Sequence, residues 1–540
     1  MERILAHLNY IIQGTTMTYN SLIFFCCFLL FLTIYFLIRP QWMKQCWILT
    51  ANVVFYVWSG WATLWIVGAT AVIIYVLSRK IGKIYEKYEV EKDGLTPKEQ
   101  TVLLGTYKRK TRKYLWFGMG LILAVWIYVK VGKLLNWDSA DSFWDWIMGR
   151  GILVPLGISY YSLSSIGYLL DVYWRKAKAE KSFLSLAVVM TYFPHIVQGP
   201  ISRYSKLFPQ FAALPGFSYD RVCFGLQRML WGYIKKLVIA DRLVVYTSAV
   251  FSAPGDFAGI EIFLAVVLSV FQLYADFSGC MDIVCGISQG IGVSLDENFR
   301  QPLFSKSASE FWTRWHITLG AWTKEYIYLP IAMNPRFMKW TRQLKKNGKP
   351  WLASFIKALV PLMAVWLFTG LWHGTGWDYL VWGLYWCVLM TLAKETAPLC
   401  DKLTVRMKIS TGRKYYLLWQ KIRTCLIFGI GRTFTVTGSL SGCLLLWKQF
   451  FAGHRIWVLF DGSLYQHGLD QKDFYVAFIG IILILVIDTL HEKGIKIRQT
   501  IAAQPLPVRW LVYYTAIFGI VILGVYGPGY NASSFVYGAF

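Results

Sequence analysis

Apolar residues gather in runs that approach the ~20 residues a helix needs to cross ~30 Å of hydrocarbon. Clear runs are Ser21–Ile38, Trp47–Leu77, Tyr114–Val129, Gly259–Tyr274, Phe474–Ile487 and Trp510–Tyr526. Others lie at Val154–Leu170, Leu184–Val197, Val222–Ile239, Ala358–Trp372, Tyr379–Leu392 and Leu417–Ile430. Some are short enough to be re-entrant or buried. The pattern predicts an all-α, polytopic membrane protein of roughly 11–14 helices.

Composition agrees. Of 540 residues, 56% are hydrophobic, 17% aromatic and 16% charged, with a mean hydropathy of +0.45. Soluble domains carry about 25% charged residues. The net charge of +26 sits between the apolar runs, at Arg79–Lys113, Arg175–Lys181, Arg336–Lys349, Lys402–Arg423 and Lys493–Arg509. Basic residues in short loops mark the cytoplasmic face and attract lipid headgroups, so no nucleic-acid partner is expected. The first apolar run ends in Arg39-Pro40 rather than in small residues, and reads as a membrane helix, not a removable signal.

The chain reads as one integral domain over residues 1–526, with a basic cytoplasmic connector at 78–113, a polar connector at 453–473 and a tail at 527–540. Lys493, Lys496, Arg498 and Arg509 place 493–509 inside, so Trp510–Tyr526 crosses once and the tail emerges outside. The ten cysteines are scattered without a C-x-x-C pair, so neither a disulfide framework nor a metal site is expected. Without a P-loop or G-x-G-x-x-G fingerprint, an ATP-driven pump is disfavoured.

Two histidines interrupt this apolar picture. His316 lies in Phe311–Pro330 and His373 in Thr369–Gly383, both rich in tryptophan. Imidazole both accepts and donates a proton near neutral pH, and an ionisable group at membrane depth is costly enough to mark function. Around His316, Ser307 or Ser309 can cap a helix that has Glu310 in its first turn, with Glu310 and Arg314 at ion-pair spacing. Trp312, Trp315, Leu319, Trp322 and Tyr326 fall on one helical stripe, and His316 borders it. The alternative is an interfacial aromatic-belt helix with a hydrogen-bonded histidine; position alone leaves both open. Basic segments flank the second stretch, so His373 falls at the tip of a hairpin. Fifteen residues, Ala358–Trp372, rise only about 23 Å, which would leave that tip inside the membrane. Gly374 and Gly376 permit a tight turn there. The alternative is an ordinary hairpin loop.

Longer motifs are more specific. Gln272–Ile331 (QLYADFSGCMDIVCGISQGIGVSLDENFRQPLFSKSASEFWTRWHITLGAWTKEYIYLPI), Val154–Tyr173, Phe193–Phe211 and LWHGTGWDYLVWG occur in an order that resembles the membrane-bound O-acyltransferase family, in its alginate O-acetyltransferase-like bacterial branch. The resemblance implies a ring of tilted helices around a funnel, with His373 as the catalytic histidine and His316 as a second important one. His373 would act as general base on an acceptor hydroxyl; His316 would orient the acyl group or stabilise the oxyanion. Trp312, Trp315, Trp372 and Arg314 beside them are read as substrate contacts. Asp276, Ser278, Gln198, Arg203, Asn298 and Arg300 resemble family positions, and can either line the funnel or hold helices together. Departures at Cys280, Trp322–Tyr326 and Phe434–Thr437 touch fine contacts rather than the reaction class. His195, His454, His467 and His491 sit nearer polar loops or lack a matching motif, and His7 is likewise unsupported.

By the same resemblance, no cofactor is bound and acetyl-CoA is the donor. The acceptor is an extracellular polysaccharide, reached with an SGNH-type partner outside the membrane. The chain ends FVYGAF, similar to the F-x-Y-x-x-F tail of wall-acylation systems, which makes Tyr537 a candidate acyl relay; an aromatic anchor is the plainer reading. Eleven residues separate Tyr526 from Tyr537, a reach of roughly 36 Å when extended. Rivals are D-alanyl transfer to teichoic acid and a transporter or flippase; the latter predicts inverted hydropathy repeats, which are not evident.

Overall fold

The computed structural model describes residues 19, 21–60, 63–134 and 155–526. Among them helix dominates, and the only extended pairing is an isolated antiparallel bridge between Phe299 and Trp315. The chain packs as two compact units. The first holds the residues up to Leu226 together with Ile283–Leu295, and the second holds Gln227–Asp282 and the residues from Asp296 onward.

The first unit contains α1 (Leu22–Leu37), α2 (Gln41–Gly60), α3 (Leu64–Glu91), α4 (Pro97–Leu134), α5 (Ile158–Tyr173), α6 (Phe183–Thr191), α7 (Tyr204–Ala212) and the start of α8 (Tyr219–Tyr233). The long run Trp47–Leu77 is shared between α2 and α3. The basic stretch 78–113 is helical except for the turn at 92–96, because Lys and Arg propagate a helix readily. Thr96 and Glu99 cap that turn reciprocally: the Thr96 amide donates to Glu99 at 2.9 Å and the Glu99 amide to the Thr96 hydroxyl at 3.5 Å. The unit's aromatic core gathers Phe24, Phe31 and Phe55 around Phe193. Tyr19 stacks on Phe55 and donates to the Phe193 carbonyl at 2.6 Å.

The second unit holds the rest of α8, a π turn (Ile234–Ala240), α9 (Asp241–Ser252), most of α10 (Ile260–Ile291), α11 (Ala308–Arg314), α12 (Ile317–Thr323), a second π turn (Lys324–Tyr328), α13 (Pro335–Lys346), α14 (Pro350–His373), α15 (Trp377–Arg406), α16 (Lys414–Val436), α17 (Leu440–Ala452), α18 (Gln471–Glu492), α19 (Ile497–Ala502) and α20 (Leu506–Leu523). A buried ion cluster ties α10 to the first π turn. Lys236 Nζ lies 2.8 Å from Asp241 and 2.7 Å from Asp276, all three almost fully buried. Gly279 lets α10 come this close, since a Cβ there would meet the Gly232 carbonyl at 2.9 Å.

Among the described residues, α3, α4, α10, α14, α18 and α20 are long and apolar enough to cross a membrane. They differ in surroundings: α10 is largely buried in protein, whereas α20 buries none of its apolar window. An apolar helix left that bare requires lipid around it. The protein is a multi-pass, all-α membrane protein.

Candidate active site

His373 is held by a helical hairpin. α14 begins at Pro350, and its 24 residues rise about 36 Å, enough to cross hydrocarbon. The shorter span read from hydropathy stops at the charged and small residues before Ala358, which a helix tolerates, so α14 is longer than the apolar run alone suggests. α14 and α15 approach closely through two glycines. A Cβ on Gly370 would meet the Tyr379 carbonyl at 2.6 Å, and one on Gly383 the Trp366 carbonyl at 2.5 Å. His373, the last residue of α14, is 6% exposed. Its ring lies 4.7 Å from Trp372 and 5.3 Å from Trp382, nearly perpendicular to the latter.

His316 is held differently. The stripe Trp312–Tyr326 is not one continuous helix: α11 stops at Arg314, Trp315 is extended, and His316 adopts the left-handed φ of +47° before α12 begins. Backbone groups that a helix would have paired internally go to residues 298–300 instead. The Arg300 amide donates to the Arg314 carbonyl at 2.9 Å, and the Ile317 amide to the Asn298 carbonyl at 3.0 Å. A left-handed non-glycine residue costs on the order of 1–2 kcal/mol and persists where its surroundings impose it. Of the two serines the sequence offers as a cap, Ser307 takes the role, accepting from the Glu310 amide at 3.2 Å. The His316 ring meets Phe277 edge-on at 4.9 Å and lies 6.0 Å from Trp372. Trp372 therefore sits beside both imidazoles. His316 is 2% exposed and outside the six long apolar helices, and burial pushes its imidazole pKa down, which keeps the ring neutral.

Both histidines line one cavity of about 100 Å³ with Trp312, Trp315, Trp382 and Arg432. Arg432 is the residue that sequence reasoning missed. Its guanidinium donates to Gln272 Oε1 at 2.7 Å, and among the described residues no other Lys, Arg, Asp or Glu lines this cavity. The signal was available: an arginine follows the apolar run Leu417–Ile430 by only two residues, and a charge beside so apolar a stretch is costly unless used.

A larger cavity of about 430 Å³ is lined by Ser278, Asn298, Arg228, Lys235, Arg498 and Asp282 among others. Its fixed charges nearly cancel, since Glu297 and Asp488 line it too. Arg228 Nε lies 2.9 Å from Asp282, and Lys235 pairs with the same carboxylate. Asn298 borders this space while its side chain reaches His316. An apolar hollow of about 540 Å³ touches the other flank, sharing Trp312, Trp315 and His316.

The remaining predicted site residues separate. Ser278 lines the larger cavity and accepts from Lys235 at 2.9 Å. Asp276 is engaged in the Lys236 cluster. Arg314 pairs with Glu310 at 2.8 Å and with Glu492, which explains its place without substrate. Arg300 is exposed. Gln198, buried, and Arg203, ahead of α7, belong to the first unit. Tyr537 and the tail lie outside the described residues.

Comparison with known proteins gives the chemistry a family. The model of "MBOAT, membrane-bound O-acyltransferase family" matches residues 7–341, which include His316 and end before His373. The chain is 31% identical to the "Probable alginate O-acetylase AlgI" of Azotobacter vinelandii, over 68% of this chain and 67% of the relative. It is 30% identical to the "Peptidoglycan O-acetyltransferase" of Helicobacter pylori over 43% of this chain and 46% of the relative. It is 26% identical to the "Teichoic acid D-alanyltransferase" of Bacillus subtilis over 44% of this chain and 58% of the relative. The chain belongs to the membrane-bound O-acyltransferase family and is an O-acyltransferase.

Proposed function

We propose that the protein passes an acetyl group from cytosolic acetyl-CoA to an extracellular or cell-wall polysaccharide. The observation that carries this reading is the small cavity in which His316, His373 and Arg432 meet among indole rings. In the transfer, the acceptor oxygen bonds to the acyl carbon while His373 takes the hydroxyl proton. The C–S bond then breaks with its electron pair on sulfur, and the imidazolium returns the proton to give the free thiol. A neutral imidazole is needed at the start, so that its lone pair can take the hydroxyl proton.

Two features favour acetyl over D-alanyl. A D-alanyl thioester carries an ammonium, and Arg432 would place a like charge against it in a poorly screened space. The relatives with O-acetylation in their names are also matched at higher identity than those named for D-alanyl transfer.

Export follows through the tail. In this reading Tyr537, in the tail that follows α20 in the sequence, receives the acyl group as a phenolic ester and hands it to an SGNH-type partner outside the cytoplasm, which completes transfer to sugar hydroxyls. The bilayer positions the chain between donor and acceptor.

The test is purified protein in lipid nanodiscs with radiolabelled acetyl-CoA. Free CoA should be released and label should appear on Tyr537. His373→Ala should abolish both while the protein stays inserted. Turnover only with a D-alanyl carrier-protein thioester would select the teichoic acid reading. Tyr537→Phe with wild-type polymer acylation would remove the relay.

A further inference from the structure

We propose that Asn298 fixes His316 as the Nδ1–H tautomer, so that His316 meets substrate as a hydrogen-bond acceptor through Nε2 and the oxyanion falls to Arg432. The two ends of an amide are alike in shape, so which end is oxygen must be decided by its partners. Here a backbone group decides it. The Thr318 amide can only donate, and it lies 3.1 Å from one end of the Asn298 side chain, so that end is Oδ1. The same oxygen takes the Thr318 hydroxyl at 2.9 Å and lies 3.2 Å from His316 Nδ1. A carbonyl oxygen has no proton to give, so Nδ1 carries the hydrogen. A neutral imidazole holds a single N–H, which leaves Nε2 a lone pair. The opposite end of Asn298 donates to Met281 Sδ at 3.3 Å, as an amide nitrogen should.

The consequence is a division of labour in the cavity. An oxyanion needs a donor, and a deprotonated Nε2 offers none. Protonating the ring to supply one is opposed from its surroundings: Phe277 and Trp372 pack against it, and the titratable or charged groups sharing its two cavities are His373, Tyr379, Tyr328 and the cationic Arg432 and Lys324. Of the two roles the family resemblance allows His316, orientation survives. Its lone pair receives an N–H or O–H of the substrate, and no proton moves to it. The guanidinium carries five donors in a fixed fork, and its contact with Gln272 Oε1 at 2.7 Å anchors it at the cavity wall. As the acceptor oxygen adds, the carbonyl electron pair moves onto the acyl oxygen and Arg432 meets that charge. When the C–S bond breaks, the pair returns. His316 is thus a positioned acceptor, and Asn298 is the residue that positions it.

The lone pair's role rests on the acyl-transfer reading above, whereas the tautomer does not, so the decisive experiment is spectroscopic. Full-length protein labelled with ¹⁵N-histidine, in lipid at neutral pH, should give a His316 signal, identified by its loss in His316→Gln, with Nδ1 protonated and Nε2 bare. An Nε2–H tautomer or an imidazolium overturns the proposal whatever the enzyme's substrate. Two variants then test the consequence for turnover. Asn298→Leu removes the acceptor and should lower kcat by about 100-fold through misplacement, with KM within a few-fold of wild type. Asn298→Asp still accepts from Thr318 and His316 but adds a negative charge that favours imidazolium. It should rescue kcat at alkaline pH, with the acid limb of the pH profile moved upward. Equal loss in both variants across all pH values would reduce Asn298 to a structural part and sink the proposal.

Discussion

The two histidines reach one cavity by opposite routes. His373 ends a regular helix and is placed by packing, with Gly370 and Gly383 bringing two backbones together and Trp372 and Trp382 flanking its ring. His316 sits where a helix is interrupted and is placed by polar contacts, with Asn298 meeting both its ring and the amide of Thr318. A residue set by packing tolerates changes in remote polar groups but not added volume. A residue set by a few hydrogen bonds behaves the other way. The contrast predicts different failures. The largest is chemical: His373→Ala should lower acyl transfer by about 10³-fold or more with thermal stability nearly unchanged, because it removes the proton acceptor and spares the hairpin's glycines. Thiol release and a melting curve in detergent measure the two quantities. An active alanine variant would leave the packed histidine without its role.

Volume comes next. Gly383→Leu places side-chain atoms where even a Cβ would stand 2.5 Å from the Trp366 carbonyl. The hairpin must separate, at a cost of about 1–3 kcal/mol, and His373 moves with it. Melting temperature and activity should fall together. Wild-type stability in this variant would mean that the hairpin is looser than its glycines imply.

Sequence alone made the histidines legible but not their support. A 3.6-residue stripe from Trp312 to Tyr326 is indistinguishable in one dimension from a broken helix that reuses the same rings. What breaks it is Asn298, whose peptide and side-chain oxygens compete for the amides of Ile317 and Thr318 from some twenty residues upstream. The α14–α15 hairpin was readable, yet its length was underestimated, since a helix continues through Lys357 and Ser354 where hydropathy falls. The basic stretch 78–113 reads as a connector, yet most of it is helix, because its charge concealed good helix formers. Arg432 escaped because the apolar run was closed before it, although its value lies in being a charge among apolar neighbours.

That charge permits a sharper test of donor choice. Arg432→Gln keeps a hydrogen-bond donor in the cavity and removes the cation. Acetyl transfer should fall about 10–100-fold, less than the roughly 100–1,000-fold of an oxyanion donor removed outright, because glutamine still donates. Discrimination against a thioester bearing an ammonium should weaken at the same time, because the repulsion is gone. Competition between acetyl and aminoacyl thioesters, with wild type and variant side by side, reads both effects. A variant slower on acetyl with discrimination unchanged would assign Arg432 to the oxyanion only.

The smallest effect probes whether His316 depends on the short helix before it. α11 has only seven residues, too few to persist on propensity, so its ends and packing must hold it. Ser307→Ala removes the side chain that accepts the Glu310 amide at 3.2 Å, a change worth about 1 kcal/mol. The Glu310–Arg314 pair at 2.8 Å remains and limits the damage. Trp312 and Trp315 are pinned by rings from elsewhere, notably Trp366 and Phe428, so the cavity wall should hardly move. We expect melting to fall by a few degrees at most, with kcat within about threefold of wild type. A much larger loss of kcat at preserved stability would mean that His316 is positioned through α11 as well as through Asn298, and the division between packed and hydrogen-bonded histidines would then need redrawing along the chain rather than across the cavity.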